Sequence, residues 1–183
     1  MTNLLSRSLY KQKQMSGFTL IEVLIYSGLL VIISTLVVSF LVQIVNLSET
    51  SRRSGEELDN AQKTMDVIEQ EVRHALSIYT PTSVFDNDAG QLSLETTRDL
   101  PADENSTYVD FYLDGGGVFL KREGEPTQLI TGEKINVTKL RFTNLSSGTS
   151  AAVKITLTAQ FKEPISFGSK PVTLESTASL RSY

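Results

Sequence analysis

The stretch GFTLIEVLIYSGLLVIISTLVVSFLVQIVNL, residues 17–47, is almost purely apolar and carries a single charge, on Glu22. Residues 23–45 contain neither charge nor proline. At about 1.5 Å of rise per residue, a helix of that length crosses the roughly 30 Å hydrocarbon layer of a bilayer. We therefore predict that residues 18–47 span a membrane once.

Charge is distributed unevenly on the two sides of this segment. The formal net charge is −4, yet residues 1–17 carry three basic side chains and no acid, so the rest of the chain has 14 basic against 21 acidic residues. The positive-inside rule then predicts a cytoplasmic start and an external body. An acidic body repels phosphate backbones, so we expect no direct nucleic-acid binding.

Composition excludes several functions. The 183 residues include no cysteine and one histidine, His74, which removes thiolate nucleophiles, disulfides, zinc fingers and multi-histidine metal sites. No pattern of nucleophile, base and orienting group is present for hydrolysis, so we expect neither an enzyme nor a cofactor. A cleaved secretory signal also fits poorly, because its small residues follow the apolar core, whereas Ser16 and Gly17 precede it.

The basic leader, Ser16, the hexapeptide at residues 17–22 and the long apolar run together resemble the prepilin signature. That signature is shared by type IV pilins and by the pseudopilins of type II secretion systems. The resemblance implies that a prepilin peptidase removes residues 1–17 by cutting after Gly17, and that the new amino terminus, Phe18, is N-methylated. It also implies that Glu22, the fifth residue of the mature chain, acts in filament assembly.

The same resemblance implies partners and a location. The partners are the prepilin peptidase, other pilin or pseudopilin subunits, the inner-membrane assembly platform and membrane lipid. The chain would lie in the cytoplasmic (inner) membrane with its C-terminal head outside, and then enter a pilus or pseudopilus. The helical run lacks the proline, and the chain lacks the cysteine pair, that many major pilins carry. The strand-like end at residues 174–181 is closer to minor pilins and J-type pseudopilins.

Beyond the membrane segment, residues 48–80 are predicted to continue the helix in amphipathic form. Apolar residues recur at a 3-4-3-4-3 spacing typical of one helix face: Leu58, Ala61, Met65, Ile68, Val72 and Ala75. Thr80 precedes Pro81, which disfavours helical angles, so we expect the helix to end near Tyr79. Residues 48–57, with Gly55, are the predicted weak joint, where the helix bends or frays.

Residues 81–183 show strand periodicity. Two runs around Gly115 and its following glycines predict a β-hairpin, and no helix-length run separates the strands. The expected strands are residues 91–97, 108–114, 118–123, 128–131, 136–144, 152–161 and 172–181. We predict a pilin-like α+β fold in which the second half of the long N-terminal helix covers one antiparallel sheet.

Few other residues suggest a site. Asp86 and Asp88, around Asn87, are weak candidates for a metal site, since their spacing does not match an EF-hand loop; a solvated turn is the simpler interpretation. Arg52 and Arg53 are either solvated or meet lipid headgroups or acids of a neighbouring subunit. The sequence leaves two functions open: a structural pilin or pseudopilin subunit, or a membrane-anchored extracytoplasmic binding protein that never enters a filament.

Overall fold

The computed structural model describes residues 17–98, 100, 104–147, 151–163 and 170–181. These residues form two compact units, divided between Asn46 and Leu47. The leader before Gly17 lies outside the described residues.

One long helix, α1, runs over Leu20–His74. Thr19 precedes it and accepts a hydrogen bond from the backbone N–H of Glu22 at its side-chain Oγ1 (3.4 Å) and at its carbonyl (3.0 Å). Threonine in this position satisfies an amide that the helix itself leaves without a partner. In the first unit the large apolar side chains of α1 are all exposed. By length and composition, α1 can cross a membrane and is the one such helix in the described chain.

In the second unit, α1 buries the predicted apolar stripe. Ala61, Met65, Ile68 and Val72 are buried, and Ala75 follows just after the helix end. Leu58 is the exception, at 37 % exposed. Residues 48–57 lie within α1, so the helix continues without interruption through the predicted weak joint. A single glycine costs roughly 1 kcal/mol, which the surrounding helix tolerates.

The helix ends five residues earlier than the predicted Tyr79. The backbone N–H of Leu76 donates to the carbonyl of Glu95 at 2.7 Å, and Ser77–Ile78 pairs with the second strand of the sheet. Pro81 restricts the backbone angles of the residue before it, so it sets only the latest position at which the helix can end. Pairing with a neighbouring strand, which local sequence cannot show, ends the helix first.

Eight strands follow α1 in the described chain, and every pair of them is antiparallel. They are β1 (Ser77–Ile78), β2 (Gln91–Thr96), β3 (Thr107–Asp114), β4 (Gly117–Arg122), β5 (Gln128–Leu129), β6 (Ile135–Asn144), β7 (Ala152–Phe161) and β8 (Val172–Ser179). The predicted strands are thus confirmed within a few residues, while β1 was not predicted. The turn between β3 and β4 is Gly115-Gly116, whose φ angles are 52° and 78°, a two-residue hairpin that favours glycine.

The prediction of a single sheet is wrong. The strands form a five-stranded sheet, β1 to β5 in order, and a three-stranded sheet, β6-β7-β8. The chain leaves the first sheet after β5, which is only two residues long, and β6 pairs with β7 instead. Alternation within each strand predicts which face is buried but not which strands become partners.

A loop before β2 joins the two sheets. Backbone hydrogen bonds of 2.8 Å run from the N–H of Asp86 to the carbonyl of Phe142, and from the N–H of Gly90 to the carbonyl of Leu140. A β-carbon on Gly90 would lie 2.8 Å from that Leu140 oxygen, so only glycine fits this approach. The buried faces of both sheets and the stripe of α1 share one hydrophobic core. The second unit is therefore an α+β domain, as predicted.

Candidate functional site

The residues predicted to act in cleavage, N-methylation and filament assembly lie at the start of α1. Gly17 and Phe18 precede the helix, and Glu22 lies in its first turn. A carboxylate there interacts favourably with the positive end of the helix dipole. A β-carbon placed on Gly17 would meet no atom within 4 Å, so local packing does not require glycine at this position.

The Glu22 carboxylate has a specific partner within its own helix. The hydroxyl of Tyr26, four residues later, donates to Glu22 Oε1 at 3.2 Å. The rings of Phe18 and Tyr26 meet edge to face, with their centroids 6.2 Å apart and their planes 73° apart. Phe18, Glu22 and Tyr26 therefore form one continuous side-chain strip.

A shallow groove on the same part of the helix is lined by Phe18, Val23, Tyr26, Ser27 and Leu30. Its lining is apolar apart from two hydroxyls. Such a surface can receive an apolar side chain or lipid tail, and the carboxylate beside it can bind a cation. These groups can supply apolar contact and charge pairing.

The two weak metal candidates are engaged otherwise. Asp86 Oδ1 accepts a hydrogen bond of 2.7 Å from the Thr143 hydroxyl. Asp88 Oδ1 lies 2.6 Å from Arg141 Nη2 and 3.4 Å from Lys139 Nζ. No group of three His, Cys, Asp or Glu side chains gathers in the described residues. A metal ion at Asp88 would have to compete with two cations of β6.

Arg52 and Arg53 form ion pairs along α1. Arg52 contacts Glu49 at 3.3 Å and Glu56 at 3.2 Å, while Arg53 contacts Glu49 at 3.1 Å. Hydrogen bonds from Arg53, which has the larger effect, and from Arg52 hold the pKa of the Glu49 carboxyl below its usual range. The Arg53 guanidinium also lies 5.5 Å from the centre of the Phe161 ring, within cation–π range. Acids of the chain itself thus neutralise this basic pair.

The sequence reasoning missed two buried carboxylates on α1. Glu57 is 1 % exposed, and its Oε1 accepts a hydrogen bond of 2.8 Å from the backbone N–H of Phe161. Glu71 is buried beside Arg122. Glu57 directly precedes Leu58 and Glu71 directly precedes Val72, both residues of the predicted apolar stripe. The buried face of α1 is therefore wider than that stripe.

We compared the chain with protein-family models, with curated proteins and with solved structures, and none of them matches it. The fold and site define an α+β protein whose long N-terminal helix begins with an exposed apolar part and continues under antiparallel sheets. The apolar part is compatible with a single-pass membrane anchor. Any narrower function is inferred from the residues at the helix start.

Proposed function

We propose that this protein is a structural subunit of the pilin type, a minor pilin or pseudopilin. It is processed by a prepilin peptidase after Gly17 and assembles into a type IV pilus or a type II secretion pseudopilus. The observation that carries the proposal is Glu22, the lone charge of the exposed apolar helix, placed in its first turn. Before assembly the chain waits in the cytoplasmic membrane with its C-terminal head outside.

Cleavage explains why a carboxylate belongs there. Cutting after Gly17 creates an ammonium group on Phe18, and N-methylation leaves an amine that still carries positive charge. When apolar helices stack side by side with an axial offset, the amine of one chain lies beside Glu22 of another. Two unit charges about 4 Å apart attract each other by roughly 4 kcal/mol at an effective dielectric constant near 20, before desolvation is subtracted. The pair therefore selects a register that apolar side chains alone leave open.

A membrane-anchored binding protein is the alternative, and Glu22 argues against it. An anchor gains nothing from a carboxylate in hydrocarbon. The residue would cost an anchor about 2.5–3.5 kcal/mol near the bilayer centre and less near its edge. The chemistry of Glu22 thus favours a helix that meets other helices.

The first test of the proposal is the intact mass of the protein purified from its own host. We expect a chain that begins with N-methylated Phe18. Replacing Gly17 with leucine should leave the full-length precursor in the membrane, because a bulky side chain then faces the peptidase. A parent chain that still begins at Met1 in a peptidase-positive host would contradict the proposal.

The second test separates the subunit from the anchor. Glu22→Ala should be cleaved and inserted as well as the parent chain, since removing a charge from hydrocarbon makes insertion easier. It should be strongly depleted from sheared filaments, as measured by immunoblotting of membrane and filament fractions. Equal recovery of Glu22→Ala and parent in the filaments would show that Glu22 has no docking role, whereas absence of the parent chain from the filaments would favour the anchor.

A further inference from the structure

We propose that Tyr26 is a positioning residue for the assembly carboxylate: it holds Glu22 in line with Phe18 on the helix face that meets a neighbouring subunit. The inference rests on the proposed function, because it concerns the same charge pair. It goes beyond that function by assigning a role to a residue outside the hexapeptide at residues 17–22.

Helix geometry explains the contact. Residues four apart lie on the same face of a helix and are neighbours on its surface. Side chains in a helix tilt toward its amino terminus, so the ring of Tyr26 reaches back over Glu22. The 3.2 Å hydrogen bond from its hydroxyl to Glu22 Oε1 is the result.

Tyr26 also contacts the residue that would bear the new amine. Phe18 lies before the helix and is not held by helical hydrogen bonds of its own, but its ring packs against the edge of the Tyr26 ring. Within one chain, Tyr26 thus touches both the carboxylate that would receive a neighbour's amine and the residue whose own amine would pair with another subunit. It fixes the carboxylate by a hydrogen bond and the preceding segment by ring packing.

The hydrogen bond matters most in hydrocarbon, where no water can solvate the carboxylate. A buried charge without donors is costly, and a bond from a hydroxyl to a carboxylate is stronger than one between neutral groups. In the described chain the second oxygen of Glu22 receives no side-chain donor. Tyr26 therefore engages one oxygen and leaves the other accessible to an ammonium group of the next subunit.

Other hydroxyls of the apolar helix are used differently. Ser27 donates to the carbonyl of Leu24 at 2.9 Å, and Thr35 donates to the carbonyl of Val31 at 2.8 Å. Both are satisfied by their own helix backbone, a common arrangement for these residues in membrane helices. The Tyr26 hydroxyl is too far from its own backbone for such a bond and is directed at the carboxylate instead.

The test compares Tyr26→Phe, which removes the hydroxyl and keeps the ring, with Tyr26→Leu, which removes both. Each full-length variant is expressed in the native host, and cleavage and the filament-associated fraction are measured. We expect normal cleavage for both, with filament fractions reduced about three- to tenfold. Tyr79→Phe, which removes a tyrosine hydroxyl from the head, is the matched control and should assemble as the parent chain does.

A double-mutant cycle connects the effect to Glu22. In a Glu22→Gln background, adding Tyr26→Phe should change the filament fraction less than twofold, because the charge that the hydroxyl serves is gone. A merely structural role of the ring would instead leave Tyr26→Phe normal and impair only Tyr26→Leu. An equal loss in both backgrounds would show that the hydroxyl acts elsewhere.

The outcomes separate the inference from the proposed function. If the parent chain assembles and Tyr26→Phe assembles equally well, the inference is overturned and the proposed function stands. If the parent chain is neither cleaved nor present in filaments, the proposed function is wrong and the inference falls with it.

Discussion

Arg122, the last residue of β4, donates from Nη2 to Glu71 Oε1 on α1 across 2.8 Å. The two residues are 51 positions apart in sequence. Arg98 lies 3.5 Å from the same carboxylate oxygen. The Glu71 side chain is 6 % exposed and the Arg122 side chain 21 %. This ion pair joins the buried face of the helix to the first sheet.

Removing one partner of this pair should destabilise the head. Glu71→Ala removes the buried carboxylate to which Arg122 donates, and we expect a loss of about 2–3 kcal/mol, below the value for a fully buried pair because Arg122 is partly exposed. Urea denaturation of a fragment comprising residues 50–183 measures it. Glu56→Ala, which breaks an exposed pair with Arg52, is the control and should change stability by less than about 1 kcal/mol. Equal effects of the two variants would contradict the structural role of Glu71.

Much of the fold could be predicted from sequence because periodicity reports burial directly. The stripe through Ile68 and Val72 and the hairpin at Gly115 both follow from local pattern. The division into two sheets could not be predicted, because β6 alternates in the same way whichever strand it pairs with. Glu71 was missed for a related reason: its partner, Arg122, is distant in sequence.

The start of α1 shows the same limit at the candidate site. Glu22 stands out in the sequence because it is the single charged residue of the apolar segment. Tyr26 does not stand out, because a tyrosine in an apolar run is ordinary, and only its four-residue spacing from Glu22 indicates a contact. Where a side-chain hydroxyl points is set by its rotamer, which composition does not reveal.

The apolar stripe of α1 gives a second prediction. Ile68 is 0 % exposed, so Ile68→Asp forces an unpaired charge into the core and should unfold the head fragment. Thermal unfolding followed by circular dichroism tests this. Gln62→Asp on the exposed face of the same helix is the control and should stay within about 0.5 kcal/mol of the parent. An unchanged melting temperature for Ile68→Asp would mean that the stripe faces a partner instead of the sheets.

Two glycines should respond oppositely to alanine. Gly90→Ala places a β-carbon 2.8 Å from the Leu140 carbonyl oxygen, so we expect a loss of about 1–3 kcal/mol as the loop moves away from β6. Gly55→Ala meets nothing within 4 Å inside α1 and should add about 0.5–1 kcal/mol. Denaturation of the two variants against the parent checks both signs. A neutral Gly90→Ala would show that the connection between the sheets is loose.

A cross-strand pair on the second sheet gives a prediction about pH. Lys154 Nζ lies 3.0 Å from Glu175 Oε2, and this hydrogen bond is the main cause that holds the pKa of the Glu175 carboxyl below its usual range. Because the pKa of Glu175 is lower in the folded state, the pair stabilises the head at pH values above the unfolded pKa, and this contribution disappears as the pH falls through the folded pKa.

Lys154→Met should therefore raise the pKa of Glu175 toward its usual value, as followed by carbon NMR of the carboxyl group. The stability difference between Lys154→Met and the parent chain should shrink as the pH falls through the folded pKa of Glu175. An unchanged Glu175 titration in Lys154→Met would show that solvent screens the pair completely.

The contacts of α1 with the last strands have a consequence for biosynthesis. Glu57 binds the backbone of Phe161, 104 positions later, and Glu69 accepts a hydrogen bond from Ser176, 107 positions later. Contacts of such separation form late and slowly. The helix is made first, so its buried face has no cover from the second sheet until β7 and β8 have been synthesised. A chain interrupted after β6 would lack the partners of Glu57 and Glu69, and completion of the C-terminal strands is the step that supplies them.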